Sequence, residues 1–166
     1  MIIGSISENK DLEKRVSITP DIIKKYISQD FKLLIEKDYA EHLGFSNDIY
    51  IKEGCEIENR ENVLKKSDII LQINLPDEKS LQAINENKSL IGVFDANQNK
   101  EKLASLSNKK INIFSLELLP RITRAQSMDI LSSQANLAGY KAVIESFAYF
   151  TKAIPMMMTA AGTVPA

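Results

Sequence analysis

The sequence predicts an α/β protein with a doubly wound, mostly parallel sheet of the flavodoxin-like or Rossmann-like kind. Short apolar segments alternate along the chain with helical patterns, and this alternation is typical of parallel strands joined by crossover helices. The segment DIILQI at 68–73 is almost wholly apolar, as expected of a strand that is covered on both faces. The helical pattern between Pro120 and Phe150 is longer than a small domain requires, so we expect a long helix at the C-terminal end of the fold.

The strands are predicted from runs of apolar and β-branched residues that end at turn residues. The pair Leu75 and Pro76 ends the apolar segment at 68–73, because proline cannot donate to a strand ladder. We expect strands at Ile2–Ile6, Phe31–Glu36, Cys55–Ile57, Asp68–Ile73, Ser89–Phe94 and Lys110–Ser115.

The starts of helices are predicted from side chains that can accept the N–H groups of a first turn. Thr19 is a candidate N-cap, Pro20 suits the first helical position, and Asp21 suits the first turn. Gly54 suits the position just after a helix. We expect further helices at Asp48–Glu53, Asn59–Lys66 and Asn99–Leu106, and a loop or short helix at Asp77–Ile84.

The composition restricts the partners and cofactors of this chain. Its 166 residues carry 21 basic and 22 acidic side chains, for a formal net charge of −1, so we expect no nucleic-acid partner. Cys55 is the single cysteine, which excludes an internal disulfide and is consistent with a reducing, cytoplasmic location. No apolar run approaches the roughly 18 residues of a membrane span, so we expect no direct membrane insertion of this chain. No cluster with metal-ligand spacing is present, so we expect no metal cofactor.

The segment from Pro120 to Phe150 carries the strongest signals for function. Thr123 and Gln126 have the spacing of a capping box, which predicts that a helix begins here. Such a helix could run for about 25 residues, or roughly 37 Å. Arg124 would then lie at the helix N-terminus, where a cation is unfavourable to the macrodipole but useful beside an anionic ligand.

Two stripes follow this predicted helix at helical spacing, one apolar and one small and polar. The glycine in the polar stripe costs roughly 1 kcal/mol against alanine, which favours the close approach of another backbone or of a ligand. Two interpretations stay open, namely a tightly packed central helix and a helix whose polar stripe faces a ligand. The apolar stripe is Met128, Leu131, Ala135, Ala138, Ala142 and Tyr149, and the polar stripe is Asp129, Ser132, Asn136 and Gly139.

Three other residues are candidates for chemistry. Arg15 can hold a carboxylate or phosphate bidentately, or can be a solvated arginine in a charged run. His42, the single histidine, is either a catalytic base or part of a surface loop. Asp95 follows an expected strand and either acts on a ligand or caps the next turn. The six glycines are far apart, so the sequence lacks a dinucleotide fingerprint.

Three segments resemble one known family. RITRAQSMDILSSQANLAGYKAV at 121–143 is similar to the signature of the alpha subunit of proton-translocating NAD(P) transhydrogenases, in their NAD(H)-binding component. EKRVSITP at 13–20 resembles an N-terminal signature that transhydrogenases share with alanine dehydrogenases, and TAAGTVPA at 159–166 resembles a linker to a dinucleotide-binding domain. The resemblance implies a domain at 1–150, a linker at 151–166 and a long helix that is interdomain.

The resemblance also implies that the start of this helix forms one wall of a nicotinamide cleft. Arg121 and Arg124 would bind the cofactor, and Gln126 would contact the ribose region and align hydride donor with acceptor. Asp129 would accept from the carboxamide, and Ser132 would add a hydrogen bond. Hydride would pass directly between NAD(H) on this component and NADP(H) on another, so no catalytic acid or base is expected.

The implied enzyme is a transhydrogenase of the Si-specific, proton-translocating type, and it works as a complex. The implied partners are the beta subunit, which is the NADP-binding component, and a membrane component. The complete alpha subunit is expected to be a homodimer. The complex implies a cytoplasmic location that is peripheral to the inner membrane.

Two alternatives stay open beside this function. In an alanine dehydrogenase-like amino-acid dehydrogenase, Arg15 would bind the substrate carboxylate, but Gln72 stands where that family has a lysine and Asp95 where it has a catalytic histidine. In the other alternative the chain is a truncated, catalytically inactive fragment or an interaction module. Because the Gly-rich turn is absent, we expect the isolated chain to be inactive.

Overall fold

In the computed structural model, residues 1–165 are described and divide into two compact units. The first unit is Met1–Leu119, and the second begins at Pro120. The first contains a parallel sheet with its helices, and the second contains a long helix and a two-stranded hairpin. The division into a domain at 1–150 and a linker at 151–166 stays a prediction, and the final residue of that linker, Ala166, lies outside the described residues.

The sheet of the first unit is parallel throughout and doubly wound. Its strands are β1 (Ile2–Ser5), β2 (Lys32–Glu36), β3 (Glu56–Glu58), β4 (Ile69–Leu71), β5 (Ser89–Gly92) and β6 (Asn112–Ser115). They lie in the order β3-β2-β1-β4-β5-β6. The chain builds β2 and β3 on one side of β1, and then crosses back to add β4, β5 and β6 on the other side. This order confirms the predicted fold class.

The helices of the first unit begin close to their predicted starts. Asn59 precedes its helix and accepts from the Asn62 N–H at 2.8 Å, and Asp77 accepts from the Ser80 N–H at 2.9 Å. Thr19 precedes its helix in extended conformation, but its side chain makes no capping hydrogen bond. The helices are α1 (Pro20–Ile27), α2 (Asn47–Lys52), α3 (Arg60–Lys66), α4 (Glu78–Ala83) and α5 (Lys100–Asn108).

Two apolar clusters cover the two faces of the sheet. Along β2, Leu34 faces one cluster while Leu33 and Ile35 face the other, as the two-residue period of a strand requires. Along β4, Ile70 is buried in the first cluster and Ile69 packs against the second. This confirms that the segment 68–73 is covered on both faces.

Side chains add hydrogen bonds at the ends of the central strands, which are shorter than predicted. Asp68 Oδ2 accepts from the Ile2 N–H at 2.9 Å, and Gln72 Oε1 accepts from the Ile6 N–H at 2.9 Å. The strand predicted at 68–73 spans Ile69–Leu71, although the Gln72 N–H still donates to the Ile91 carbonyl at 2.9 Å. The strand predicted at Ile2–Ile6 ends one residue earlier, at Ser5.

In the second unit the long helix begins later than predicted. Thr123–Met128 forms a 3-10 helix, and the α-helix α6 spans Ile130–Tyr149, which is 20 residues. The predicted capping box is therefore wrong, because the N-cap of α6 is Asp129 and Thr123 makes no capping hydrogen bond. Arg124 consequently lies in the 3-10 helix rather than at the N-terminus of the α-helix.

No residue of Ile130–Tyr149 is buried. The residues of the predicted apolar stripe that lie in α6 are therefore at least partly exposed within the described part of the chain, and both interpretations of this helix stay predictions. Nothing lies within 4 Å of where a side chain at Gly139 would begin. Beyond α6, β7 (Met157–Thr159) and β8 (Gly162–Val164) pair as an antiparallel hairpin within the predicted linker. Within residues 1–165, no helix combines the length and the apolar character that crossing a bilayer requires.

Gly4 allows α3 and the residue that follows it to approach β1, and this yields a test of the fold. A Cβ at position 4 would lie 2.0 Å from Ser67 Oγ and 2.9 Å from Val63 Cγ1, and Ser67 is fully buried. We expect Gly4→Ala to lower the free energy of unfolding by about 1–3 kcal/mol in denaturant titrations, because overpacked cores lose about that much.

Gly139→Ala is the matched control, since the same methyl group enters open space there. It is expected to leave stability unchanged or to raise it by up to about 1 kcal/mol, the difference in helix propensity. Equal stability of Gly4→Ala and the wild type would contradict the close approach of α3 to β1.

Candidate functional site

A compact turn presents the predicted cofactor-binding residues ahead of α6. Ala125 is the buried residue of the 3-10 helix Thr123–Met128, and its N–H donates to the Ile122 carbonyl at 2.9 Å. Because this alanine faces inward, the charged and amide side chains around it face solvent. Arg121, Arg124 and Gln126 are all exposed.

The structure brings two of the predicted residues, Asp129 and Ser132, into direct contact. The Ser132 N–H donates to Asp129 Oδ1 at 3.0 Å, and the Ser132 hydroxyl donates to Asp129 Oδ2 at 2.7 Å. Both carboxylate oxygens thus satisfy donors of the first turn of α6. Their spacing in the sequence predicts that these two residues share one polar stripe of the helix. In the structure they form an N-cap pair.

The contact between Asp129 and Ser132 also favours the ionised form of the Asp129 carboxyl group. The hydrogen bonds from the Ser132 hydroxyl and N–H lower the pKa of Asp129, and the positive charge of Arg121 lowers it further. Asp129 is therefore an ionised acceptor at neutral pH. An ionised carboxylate accepts from amide N–H groups, while the nearby guanidinium and amide groups donate. This set suits a polar, amide-bearing ligand.

Arg15 lies in the loop between β1 and α1, where Glu13 holds its guanidinium. Arg15 Nε donates to Glu13 Oε1 at 2.9 Å and Nη2 donates to Glu13 Oε2 at 2.6 Å. The hydrogen bond from Arg15 lowers the pKa of Glu13 to about 2. An external anion would have to compete with this carboxylate, so anion binding by Arg15 stays a prediction.

The remaining candidates lie in a short 3-10 helix, Glu41–Leu43, and in a turn. His42 Nε2 is 2.7 Å from the Lys14 carbonyl, in agreement with the loop interpretation. Asp95 has a φ of 48°, and its carbonyl accepts from the N–H groups of Gln98 and Asn99 at 2.9 and 3.0 Å, so it begins a turn. Within residues 1–165, no group of three or more His, Cys, Asp or Glu is placed to hold a metal ion.

The sequence reasoning missed a set of glutamates at the carboxyl edge of the sheet. Glu117 accepts from the Ala96 N–H at 2.9 Å, the Phe94 N–H at 3.3 Å and the Ser115 hydroxyl at 2.7 Å. Glu36 Oε2 accepts from the Ser7 N–H at 2.6 Å. Glu8 makes a similar set of contacts at the end of β4. Their common signal is an acidic residue at or just after a strand end, where parallel strands expose N–H groups.

Comparison with known proteins places the chain in a family. A family model described as alanine dehydrogenase/PNT, N-terminal domain, matches residues 4–138. The chain belongs to this family. The match covers most of the first unit and the start of α6, so it includes the turn that carries the predicted site. The roles of the individual site residues stay predictions.

Individual relatives favour the transhydrogenase branch. The chain is 36% identical, over 171 residues, to an NAD(P) transhydrogenase subunit alpha polypeptide of Rickettsia prowazekii (strain Madrid E), covering 100% of this chain and 45% of that protein. It also matches the crystal structure of transhydrogenase from Sinorhizobium meliloti with a TM-score of 0.92 and 37% identity, covering 100% of this chain and 50% of the other.

Alanine dehydrogenase is a more distant relative. Alanine dehydrogenase 1 of Staphylococcus aureus (strain Mu50 / ATCC 700699) is 27% identical over 153 residues, covering 92% of this chain and 40% of that protein. The chain is thus homologous to the N-terminal part of the transhydrogenase alpha subunit. It spans about half the length, or less, of the relatives it matches.

The ion pair between Glu13 and Arg15 yields a prediction about pH. Because the folded pKa of Glu13 is about 2 and its ordinary value is 4.5, the stability that this pair contributes is complete above about pH 4.5. It is lost as the pH falls through about 2. In an NMR titration of side-chain carboxyl groups, Arg15→Gln is expected to move the Glu13 midpoint upward towards 4.5. An unmoved midpoint would contradict the pairing.

The contact between Asp129 and Ser132 predicts that two substitutions can distinguish the capping role of Asp129 from the role of its charge. Asp129→Ala removes the acceptor of the Ser132 N–H and is expected to fray the first turn of α6. Asp129→Asn keeps an N-cap acceptor and removes only the charge. Amide hydrogen exchange at 130–133 measures the difference. Faster exchange in both variants, or in neither, would contradict the capping role.

Proposed function

We propose that this chain forms the N-terminal part of the NAD(H)-binding component of a proton-translocating NAD(P) transhydrogenase. In this proposal it contributes one wall of the cleft in which hydride passes between NAD(H) and NADP(H). The observation that carries the proposal is the turn at 121–132, in which Ser132 donates to Asp129 and the charge of Arg121 helps to lower the pKa of the Asp129 carboxyl group. The similarity to transhydrogenase alpha subunits over the whole chain supports it.

The residues of this turn fit the amide end of a nicotinamide cofactor. The Asp129 carboxylate would accept from the carboxamide N–H through its remaining acceptor capacity, because it is ionised and only partly buried. Gln126 offers both a donor and an acceptor for the ribose region, and Arg121 and Arg124 offer donors for oxygen atoms. When bound, the nicotinamide supplies the hydride chemistry, and the side chains of this chain hold and orient it.

The apolar surface of the second unit supports the proposed assembly. A mainly apolar helix with no buried residue needs a cover, and exposed apolar patches of this kind mark interaction surfaces. We propose that a second copy of the subunit and the remainder of the NAD(H)-binding component cover α6 and the hairpin. The NADP-binding beta subunit and the membrane component would complete the complex, peripheral to the inner membrane on its cytoplasmic side. The exposed apolar side chains include Leu137, Tyr140, Val143, Ile144, Phe147, Phe150, Met157 and Met158.

The surroundings of Gln72 argue against an amino-acid dehydrogenase. Its side chain is 5% exposed, and its amide is already bonded to Ile6 and Glu8. It is therefore engaged inside the fold rather than offered to a substrate. Asp95, at the other departure from the alanine dehydrogenase pattern, begins a turn.

The proposal predicts the effect of two conservative substitutions in the complete subunit. Asp129→Asn and Gln126→Asn are each expected to lower hydride transfer from NADPH to an NAD analogue by about 10- to 100-fold, the cost of one hydrogen bond to a charged or aligned group. Neither variant should change the circular dichroism spectrum or the unfolding midpoint. Asn at position 129 preserves the N-cap of α6, and Gln126 is exposed.

Gln82→Asn is the matched control for these variants. Gln82 lies exposed on α4, so its shortening is expected to leave both turnover and stability unchanged. Wild-type turnover in both site variants would contradict the proposed cleft wall.

A second prediction concerns the chain by itself. Because the chain lacks a Gly-rich phosphate-binding turn, calorimetry with NADH is expected to show no binding tighter than millimolar and no transhydrogenation. Micromolar affinity would show that the pyrophosphate site lies within this chain, and would overturn the proposal that it supplies only one wall.

A further inference from the structure

The chain between β1 and α1 forms a strap, which we define as residues 8–16. Its residues from Asn9 to Leu12 are exposed, and Leu12 is 84% exposed. The N–H groups of Leu12 and Glu13 donate to the Asn9 carbonyl at 3.0 and 2.8 Å, and the Arg15 N–H donates to Glu13 Oε1 at 2.9 Å. Both partners of each of these bonds lie within the strap, so the bonds can persist when the strap moves as a unit.

The strap begins beside a fixed point of the backbone, Ser7. The Ser7 N–H donates to Glu36 Oε2 at 2.6 Å, and the Ser7 carbonyl accepts from Arg60 Nη2 at 2.7 Å. Arg60 Nε also donates to Glu36 Oε1 at 3.1 Å. One ion pair therefore holds the backbone on both sides of Ser7, through side chains that belong to β2 and α3.

Two buried tyrosines hold the chain just beyond the other end of the strap. The Tyr39 hydroxyl accepts from the Ser17 N–H at 2.9 Å and from the Ile18 N–H at 3.2 Å. The Tyr50 hydroxyl donates to the Ile18 carbonyl at 2.9 Å. Tyr39 and Tyr50 are 2% and 1% exposed, and Ile18 is fully buried. Backbone groups at this depth are costly to leave without partners, so Ser17 and Ile18 form a second fixed point.

The Tyr39 hydroxyl also joins this second fixed point to the sheet. Because the hydroxyl oxygen accepts from N–H groups, its own proton is donated elsewhere. The hydroxyl oxygens of Ser5 and Ser17 lie 2.8 and 3.0 Å away. Both serine hydroxyls reach the Leu71 carbonyl, at 2.8 and 3.0 Å. The second fixed point is thus bonded to β1 and β4 through one shared set of hydroxyl groups.

Two exposed contacts tie the middle of the strap to the segment 38–42. Lys10 Nζ donates to the Asp38 carbonyl at 3.1 Å, and His42 Nε2 is 2.7 Å from the Lys14 carbonyl. A carbonyl can only accept, so His42 is the donor in the second contact. Water can replace the partners of exposed hydrogen bonds, so each contributes only modestly to stability. The middle of the strap is therefore held less firmly than the two fixed points.

In its closed position the strap covers part of the carboxyl edge of the sheet. Glu8, Leu12 and Glu13 help to line a crevice of about 1030 Å³ there, and Glu8 Oε1 accepts from the Ile73 N–H at 2.7 Å. The Ile73 amide is therefore covered while the strap is closed and uncovered when the strap leaves. This amide reports the position of the strap.

We propose that the strap is a gate that opens and closes as one unit between two fixed points, Ser7 and the pair Ser17 and Ile18. Opening widens the crevice and uncovers the Ile73 N–H. Tyr39 sets the limit of the moving segment, because its hydroxyl keeps Ser17 and Ile18 on the sheet. Local opening is typical of segments with few buried contacts, and the strap is such a segment. The inference does not depend on the proposed transhydrogenase function.

The test is amide hydrogen exchange of the isotope-labelled full chain, followed by NMR at constant pH and corrected for the intrinsic rate of each amide. The Ile73 amide is expected to exchange through opening of the strap, whereas the buried Ile18 amide exchanges only when the core opens. Exchange at Ile73 is therefore expected to be faster by about 100-fold or more. Equal protection of the two amides would contradict a gate with a fixed end.

Two substitutions distinguish movement of the whole strap from movement of the Glu8 side chain alone. Lys10→Met and His42→Ala each remove one exposed contact and leave Glu8 and Ile73 unchanged. Because the strap opens as one unit, each is expected to raise the Ile73 exchange rate by about 3- to 10-fold, which corresponds to one exposed hydrogen bond. Wild-type exchange at Ile73 in both variants would overturn the proposal.

Lys14→Met is the matched control for these variants. It removes the same charge from the same strap as Lys10→Met, but Lys14 contributes its carbonyl and not its side chain to the contact with His42. It is expected to leave exchange at Ile73 unchanged. A rise equal to that of Lys10→Met would show that charge, and not the contact, controls the exchange, and would count against the gate.

Tyr39→Phe tests the fixed end of the strap. It removes the acceptor of the Ser17 and Ile18 N–H groups, so the moving segment is expected to extend to Ile18. Exchange at Ile18, measured relative to the buried Ile6 amide, is expected to rise by about tenfold or more. Unchanged relative protection of Ile18 would contradict the role of Tyr39.

Tyr50→Phe keeps this test decisive if Tyr39→Phe does not fold. It removes only the donor to the Ile18 carbonyl and keeps the ring in the core, so it is expected to fold. Exchange at Ile18 relative to Ile6 is expected to rise by about 3- to 10-fold. An unchanged ratio would contradict a fixed point held by the two tyrosines.

Discussion

The position of β1 at the centre of the sheet is the constraint on which the rest of the first unit depends. It pairs with β2 on one side and β4 on the other, and its residues are buried between two apolar clusters. Its ends are completed by side chains, those of Asp68 at the Ile2 N–H and Gln72 at the Ile6 N–H. These bonds satisfy backbone donors whose burial without a partner would be costly. Between the two ends, Gly4 has no side chain, and this allows α3 to approach β1 closely.

The carboxyl edge of this sheet is occupied by its own glutamates. Glu8, Glu36 and Glu117 accept backbone N–H groups that lie beyond β4, β1 and β5, and open sheets of this class usually offer such groups to ligands. The polar groups proposed to meet the cofactor lie instead in the exposed turn at 121–132. In the proposed assembly, this Rossmann-like fold without a Gly-rich turn would therefore supply orientation rather than a phosphate site.

Sequence patterns predicted the elements whose signals are local and repeated. Alternating strands and helices gave the parallel sheet, and Pro20 gave the start of α1. The start of α6 was wrong because two cap patterns compete within ten residues, and the pair Asp129 and Ser132 prevailed over Thr123 and Gln126. The glutamates at the strand ends were missed because their acceptor roles arise from tertiary structure. The signature at 121–143 pointed to the candidate turn, and the chain spans about half the length, or less, of the relatives that it matches.

The most direct test of the central claim is NMR shift mapping of the complete, isotope-labelled subunit as NADH is added. Saturable changes are expected at the amides of Gln126, Asp129 and Ser132, because the turn before α6 is proposed to form the nicotinamide wall. Saturable binding of NADH with no change at these three amides would contradict the proposed wall.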